Sequence, residues 1–172
     1  MKPSNPEFEQ VYLDNYSYVY NYVFMRVLHR ENAEDIVSDV FTKAMTHYDS
    51  YNSSIASIRT WLCNIARNTV TDYFRLKANQ PHADIDDIAE PGVEDEYNLL
   101  EDSYNRKLFR ILSYLSDSER EFLALRYSKE LSNEEIGQQL GIAPKAVSER
   151  YRRLLKKCHE IAVKHHIEGV ES

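Results

Sequence analysis

Apolar side chains recur every three or four positions along most of the chain, the spacing that places them on one face of an α-helix. Strand-like alternation is sustained nowhere, so the sequence predicts an all-α protein. The pattern falls into two helical groups, residues 1–77 and 99–172. Between them, residues 78–98 are rich in acids, contain two prolines and have no apolar period. We therefore expect two small helical domains joined by an acidic flexible linker.

The first domain is predicted to contain helices over residues 8–28, 33–48 and 58–77. In the second helix, Asp35 and Asp39 lie four positions apart and therefore stack on its exposed face, opposite an apolar face that includes Ile36. Repulsion between these carboxylates favours an external basic partner, although a merely solvated acidic edge fits the same pattern. In the first helix, aromatic residues recur at four-residue steps, and we interpret them as core: Phe8, Tyr12, Tyr16, Tyr20 and Phe24.

The third helix combines basic, amide and aromatic side chains. Arg59, Asn64, Arg67 and Asn68 lie beside a wide apolar face that includes Trp61. Aromatic rings stack on unpaired bases, asparagine reads base edges and arginine binds phosphates, so this combination suits single-stranded nucleic acid. The alternative is that Trp61 belongs wholly to the core.

The second domain is predicted to begin with helices over residues 99–115 and 121–127, with a capping box from Ser116 to Glu119. Residues 131–157 then read as a helix, a tight turn and a second helix. Ser132 or Asn133 can cap the first of these, Gly141 suits a helix end that needs a positive φ, and Pro144 fits the opening turn of the second. At the end of the last helix, His165 and His166 are expected to be solvated.

The second helix of this pair has two unlike faces. Val147, Tyr151 and Leu154 share one side. The opposite side and its margins carry polar and charged residues: Lys145, Ser148, Glu149, Arg152, Arg153 and Lys156. Such a helix suits the major groove of duplex DNA. A solvated, salt-bridged surface helix is the alternative, and we favour DNA reading because the cap, the glycine turn and the polar face agree.

The net charge of −7 over 172 residues looks wrong for a DNA-binding protein. The acids are concentrated in residues 77–118, whereas residues 119–172 are close to neutral. A cationic patch survives locally because charges beyond about 10 Å are screened at cellular salt. A near-neutral domain nevertheless binds DNA weakly by itself, so we expect another macromolecule to deliver it to DNA.

The sequence shows no run of about 18 apolar residues, and its N-terminus lacks the apolar core of a secretory signal. Cys63 and Cys158 do not have the spacing of a metal site, and we interpret both as packing residues. These features predict a reduced, cytoplasmic protein that uses no metal or cofactor.

Three blocks of sequence, in order, carry a resemblance: DIVSDVFTKAM, RTWLCNIARNTVTDYFR and, after the acidic stretch, LSDSEREFLALRYSKELSNEEIGQQLGIAPKAVSERYRRLLKK. Together they resemble a bacterial RNA polymerase sigma factor of the small, two-domain extracytoplasmic-function type. The resemblance implies that residues 1–77 bind core polymerase and melt the −10 promoter element, and that residues 99–172 recognise the −35 element. It also implies an anti-sigma factor as regulator.

The resemblance assigns roles to residues as well. Asp35, Ile36 and Asp39 match the helix that docks on a basic coiled coil of core polymerase. The match to the region that opens the −10 element and captures a flipped base covers Ile58, Arg59, Trp61, Asn64, Arg67 and Asn68. The match to the helix that reads the −35 element as duplex covers Lys145, Ser148, Glu149, Arg152, Arg153 and Lys156.

Two other classes of function were weighed against this one. A dimeric DNA-binding regulator would need a sensing or dimerising domain, and residues 1–76 show no heptads and no ligand-pocket signature. An enzyme would need a Ser/His/Asp cluster, a phosphate-binding glycine loop or a metal spacing, and the sequence has none of them. We therefore favour the function that the resemblance implies, that of a sigma factor, and do not expect an enzyme.

Overall fold

The computed structural model describes residues 6–79, 103–127 and 131–167, and these are helical with no strand among them. The predicted all-α fold is confirmed. The chain divides into two compact units, residues Met1–His82 and Ala83–Ser172. The helices are α1 (Pro6–Val27), α2 (Arg30–His47), α3 (Ile58–Ala78), α4 (Ser103–Ser113), α5 (Asp117–Tyr127), α6 (Asn133–Leu140) and α7 (Pro144–Lys164), with a 3-10 turn at Tyr48–Ser50. Apart from Ala78 and Asn79, which end α3, the expected linker lies outside the described residues.

In the first unit, α1, α2 and α3 form a bundle in which each helix packs against the other two. The predicted inner face of α2 is buried, together with Ala33 at its start. Side chains from all three helices meet in the centre without solvent contact: Val19, Val23, Val37, Val40, Leu62 and Val70. This core fixes the outward faces of α2 and α3, which carry the predicted functional residues.

The interpretation of the aromatic stripe on α1 as core is wrong for most of its length. Phe8 is buried, but Tyr12 is 39% exposed, and the next three aromatic residues are half-buried. Steps of four residues advance about 40° beyond a full turn each, so a stripe of five winds far around the helix and cannot stay on one face. The core of α1 is formed instead by Val19, Tyr22, Val23 and Met25.

The turn between α1 and α2 lies earlier than Glu31, where the sequence pattern breaks. Leu28 adopts a left-handed conformation with φ of 52° while its side chain is buried. His29 is the N-cap of α2, and its Nδ1 accepts a hydrogen bond from the Asn32 amide at 3.4 Å. Histidine is not among the usual capping residues, so this helix start could not be predicted from capping preferences.

The second unit has its core where α4, α5, α6 and α7 meet. Phe122, Leu125, Ile136 and Val147 are fully buried there. On α4, Phe109 and Leu112 are buried, whereas Leu108 and Ile111 are only half-buried.

The expectation that His165 and His166 form a solvated end is wrong for His165, whereas His166 is exposed. The His165 ring stacks on Tyr114 with centroids 3.9 Å apart, and Ile167 is buried. The end of α7 is therefore attached to the end of α4.

The predicted helix–turn–helix is confirmed in its local details. Ser132 is the N-cap of α6: its Oγ accepts from the Glu135 amide at 3.1 Å, and Glu135 accepts from the Ser132 amide at 2.8 Å. Gly141 ends α6 with φ of 67°, and Pro144 is the first residue of α7. The turn is closed by a hydrogen bond from the Ile142 amide to the Gly137 carbonyl at 2.9 Å.

Gly137 allows this turn to close because it has no side chain. A Cβ at this position would lie 2.6 Å from the Ile142 carbonyl oxygen, a backbone atom that cannot rotate away. A Cβ at Gly141 would meet no atom within 4 Å, although its left-handed φ strains other residues. The two glycines therefore serve different purposes, close approach at Gly137 and backbone conformation at Gly141.

Gly137→Ala should lower the free energy of unfolding of the second unit by about 1–3 kcal/mol, the usual cost of overpacking. Gly141→Ala should cost about 1 kcal/mol, and Gly141→Asn less, because asparagine tolerates left-handed φ. Urea unfolding of the three variants measures this order. A Gly137→Ala protein as stable as the wild type would contradict the close approach of Gly137 to the Ile142 carbonyl in the turn.

Candidate nucleic-acid interface

The outer face of α7 presents every residue that the sequence predicted for duplex recognition. Val147 and Leu154, at 0% and 5% exposure, attach the opposite face to the core. All six predicted residues are exposed: Lys145, Ser148, Glu149, Arg152, Arg153 and Lys156. We call these six residues the α7 face. It holds four cations and one carboxylate on a single helix of 21 residues.

Two other cations of α7 point the other way, which the sequence pattern did not indicate. Arg150 donates a hydrogen bond to Ser118 Oγ at 2.9 Å, and its guanidinium lies 4.8 Å from the centre of the Phe122 ring. Lys157 Nζ lies 2.7 and 2.9 Å from the two carboxylate oxygens of Glu119. These two cations bind α7 to the beginning of α5 and are thereby separated from the α7 face.

Glu119 takes part in both the cap of α5 and the attachment of α7. Its Oε2 accepts from the Ser116 amide at 2.9 Å, and the Ser116 Oγ lies 3.3 Å from the Glu119 amide, so the predicted capping box is confirmed. Partial burial raises the pKa of the Glu119 carboxyl, but the hydrogen bonds from Lys157 and Ser116 outweigh burial and lower the pKa overall. The carboxylate is therefore stabilised in its charged form in the folded protein.

Within the α7 face, Arg152 and Glu149 form an ion pair. Arg152 Nη2 lies 2.8 Å from Glu149 Oε1, and Nε lies 3.4 Å from Oε2. The hydrogen bond and charge of Arg152 lower the pKa of the Glu149 carboxyl. By contrast, Lys145 and Arg153 make no ion pair with any residue that the structure describes. Lys145 and Arg153 are therefore the cations of this face most open to a phosphate backbone.

On α2, Asp35 and Asp39 are exposed, as predicted. Neither carboxylate forms an ion pair within the described ranges. Ile36 is only 4% exposed, so it supports α2 from behind and does not reach a partner directly. We call Asp35 and Asp39 the α2 acidic edge.

Beside this edge, α1 and α2 form a groove of about 310 Å³. Apolar and aromatic side chains dominate its lining: Phe8, Tyr12, Tyr16, Val37, Phe41 and Met45. Tyr12 and Met45 are 39% and 47% exposed. The acidic edge therefore lies on the same helix as an open apolar surface.

At the start of α3, Arg59 is engaged within the protein. Its Nε donates to Asn15 Oδ1 at 3.0 Å, and its guanidinium lies 5.3 Å from the centre of the Tyr18 ring. Asn15 is a buried polar residue on α1 that the sequence reading missed, although an asparagine within an apolar stretch was a signal for it. Arg59 therefore ties α3 to α1, and this contact limits its reach toward a ligand.

The other predicted residues of α3 divide into two near its start and three polar ones further along. Trp61 is half-buried, with ring centroids 6.4 and 5.3 Å from those of Tyr48 and Tyr51. Ile58 lines a groove of about 270 Å³ together with Asn15 and the same two tyrosines. Further along the helix, Asn64 and Asn68 are exposed one turn apart and Arg67 is half-buried. The aromatic groups therefore lie at the start of α3, and the exposed amides follow them along the helix.

Among the described residues, no three His, Cys, Asp or Glu side chains gather where they could hold a metal ion. No described helix combines the length and apolarity needed to cross a membrane. Cys63 is buried and Cys158 half-buried, both as free thiols, and burial raises the pKa of the Cys158 thiol.

Two family models match this chain in the order of its two units. Residues 11–80 match Sigma-70 region 2, and residues 105–158 match Sigma-70, region 4. The chain is 33% identical to the RNA polymerase sigma factor YlaC of Bacillus subtilis, over 77% of this chain and 79% of that protein. It is 29% identical to the ECF RNA polymerase sigma factor SigM of the same organism, over 91% and 96%.

Solved structures share the fold. The sigma factor RpoE of Bartonella quintana, in complex with the anti-sigma factor NepR, matches with a TM-score of 0.70 and 20% identity, covering 91% of this chain and 97% of that chain. CnrH, in complex with the cytosolic domain of CnrY, matches with a TM-score of 0.65 and 18% identity over 97% and 92%. At these identities the likeness supports the architecture alone.

Glu119→Gln should destabilise the second unit at neutral pH by roughly 0.5–1 kcal/mol, since the amide loses the charged contact with Lys157. Because folding lowers the pKa of Glu119, its stabilisation is present above 4.5, the ordinary glutamate pKa, and is lost as the pH falls below that value. Thermal unfolding measured over a range of pH should show the stabilities of the wild type and Glu119→Gln converging in acid. Glu134→Gln, at an exposed carboxylate, is the matched control, and a pH-independent offset for Glu119→Gln would contradict this account.

Proposed function

The chain belongs to the RNA polymerase sigma factors, of the extracytoplasmic-function type, and on that premise we propose how its two units share the work. The protein recognises promoter DNA and directs RNA polymerase to initiate transcription. We assign core-polymerase binding and melting of the −10 element to residues 1–77, and recognition of the −35 element to residues 99–172. Residues 78–98 join the two. The observation that carries this division is the exposure of the whole α7 face on a helix anchored by its opposite side.

The α2 acidic edge is proposed to dock on a basic surface of core polymerase. Asp35 and Asp39 are exposed, and like charges one turn apart repel each other until a cationic partner arrives. Ile36 contributes by burial, holding α2 so that both carboxylates face outward. The adjacent apolar groove, with exposed Met45 and Tyr12, extends this surface.

The beginning of α3 is proposed to open the −10 element and to hold an unpaired base. Asn64 and Asn68 offer donors and acceptors to base edges, and Arg67 adds positive charge. The groove beside Ile58, with Tyr48 and Tyr51 in its wall, offers rings on which a base can stack. Trp61 supports those rings from its half-buried position.

In this proposal Arg59 positions the site and does not bind phosphate itself, because Asn15 and Tyr18 already hold its guanidinium.

The α7 face is proposed to read the −35 element in the major groove. Arg153 and Lys145 supply phosphate contacts, since neither is paired within the described residues. The Glu149 carboxylate pre-orients the Arg152 guanidinium, which suits arginine for a bidentate contact with guanine. Lys156 lies 4.0 Å from Glu160 and adds to the cationic field at the end of the face.

The chemistry of transcription belongs to the polymerase, so we propose no catalytic residue, metal or cofactor in this chain. We place its action in the cytoplasm, with the polymerase. The RpoE structure contains the anti-sigma factor NepR, and the CnrH structure contains the cytosolic domain of CnrY. We propose that an anti-sigma factor regulates this protein too.

Asp35→Arg combined with Asp39→Arg should weaken binding to core polymerase roughly tenfold or more, because two attractive contacts become repulsive. Fluorescence titration of the labelled protein with core enzyme measures the loss. Glu9→Arg reverses an exposed charge on α1 and is the control for charge alone. Unchanged binding in the double variant, with run-off transcription intact, would remove the proposed role of this edge.

Asn68→Ala should slow promoter opening roughly fivefold while leaving binding to duplex promoter DNA unchanged, because its amide acts only on separated bases. Permanganate reactivity of thymines in the −10 element, followed over time with the holoenzyme, measures opening. Thr71→Ala, at an exposed position further along α3, is the matched control. Opening at the wild-type rate would be incompatible with the proposed contact.

A further inference from the structure

A chain of three polar side chains runs from α5 through α6 to the α7 face. Arg126 Nη1 donates to Asn133 Oδ1 at 2.8 Å, and Asn133 Nδ2 donates to Ser148 Oγ at 2.9 Å. Arg126 is held in turn by Tyr151, whose ring centre lies 5.1 Å from the guanidinium. The three residues belong to three different helices, so this chain is a tertiary feature of the helix–turn–helix.

The direction of each hydrogen bond in this chain follows from its first member. An arginine guanidinium has donors and no acceptor, so the group of Asn133 that faces it must be the amide oxygen. The Asn133 NH₂ group is thereby turned toward Ser148, whose oxygen must accept. Ser148 has given up one lone pair and keeps its proton.

That proton is not used elsewhere in the helix. Thr42, Thr46, Thr69 and Thr71 each donate their hydroxyl to the carbonyl four residues earlier, the usual fate of a hydroxyl within a helix. Ser148 makes no such bond, and its contact with Asn133 is the only one it has within the described residues. A hydroxyl that accepts from a polarised donor also becomes a stronger donor.

From this polarity we infer that Arg126 and Asn133 occupy one lone pair of Ser148 and bias its hydroxyl toward donating outward, and that Ser148 thereby favours a base with a major-groove acceptor. This inference rests on the proposed reading of the −35 element by the α7 face. Guanine N7 and O6, adenine N7 and thymine O4 accept a hydrogen bond in the major groove, whereas cytosine presents only an amino donor. Ser148 therefore disfavours cytosine, most clearly against guanine and thymine, at the base it contacts, and Asn133 is a positioning residue for that contact.

Asn133→Asp reverses the polarity with almost no change in shape. One carboxylate oxygen still accepts from Arg126, and the other now accepts the Ser148 proton, so Ser148 can only accept from DNA. Asn133 is the first residue of α6, where a carboxylate suits the positive end of the helix dipole, so the variant keeps its fold. Base preference is a readout that a merely structural role of Asn133 would not alter.

The test uses holoenzyme reconstituted from core polymerase and the full chain, with promoters randomised across the −35 element and transcripts sequenced. Wild-type, Asn133→Asp, Ser148→Ala and the double variant are compared, and thermal unfolding checks each fold. We expect the wild-type protein to prefer guanine or thymine over cytosine roughly three- to tenfold at one position. Ser148→Ala should remove this preference. Asn133→Asp should shift that position toward cytosine, and this shift should vanish in the double variant.

Two results would overturn the inference while leaving the proposed function intact. The first is a base preference that Ser148→Ala leaves unchanged. An equal loss of transcription from every promoter sequence in this variant would count in the same way, because it would mean that the hydroxyl contacts a phosphate. The second is a shift caused by Asn133→Asp that persists without the Ser148 hydroxyl. A wild-type protein with no base preference anywhere in the element would overturn the proposed function as well.

Discussion

The attachment of α7 to α5 decides which cations of that helix lie on the α7 face. Arg150 and Lys157 bind Ser118, Phe122 and Glu119, and burial of Val147 adds roughly 2 kcal/mol to the same packing. The helix is thereby held at one rotation about its axis. The remaining polar and charged side chains face outward together, so a packing interaction on one side defines a recognition surface on the other.

From the charge of the whole chain we expect this surface to bind DNA weakly by itself. A net charge of −7 opposes approach to DNA, and the α7 face has only four cations, one of them paired with Glu149. A modest affinity fits the proposed function, in which core polymerase delivers this surface to the promoter. The α2 acidic edge fits the same division: acids that would repel DNA are placed on the surface proposed for a basic protein.

Local signals in the sequence predicted local structure well. The capping residues Ser116 and Ser132, the positive φ of Gly141 and the start of α7 at Pro144 each depend on neighbours a few positions away. Features that depend on distant residues were not predictable in this way. Arg150 finds Ser118 32 positions earlier, and Arg59 finds Asn15 44 positions earlier, so a pattern of charges along one helix cannot tell an anchoring cation from an exposed one. The roles assigned to the exposed residues came from family resemblance and stay predictions.

Helix α7 carries two kinds of cation, anchoring ones and ones on the α7 face. This division is tested by comparing the anchoring variants Arg150→Ala and Lys157→Ala with Arg152→Ala and Arg153→Ala on the α7 face. Holoenzyme binding to promoter duplex is titrated over a range of salt concentrations, and the unfolding of each free protein is followed in parallel. We expect each variant of the second pair to lose about 1–3 kcal/mol of binding free energy, or to reduce the slope of binding against salt by about one unit. The stability of these two variants should be unchanged. The first pair should lose stability and keep its affinity while folded. Equal losses of DNA affinity in both pairs of variants would contradict the division of these cations into anchoring and DNA-facing groups.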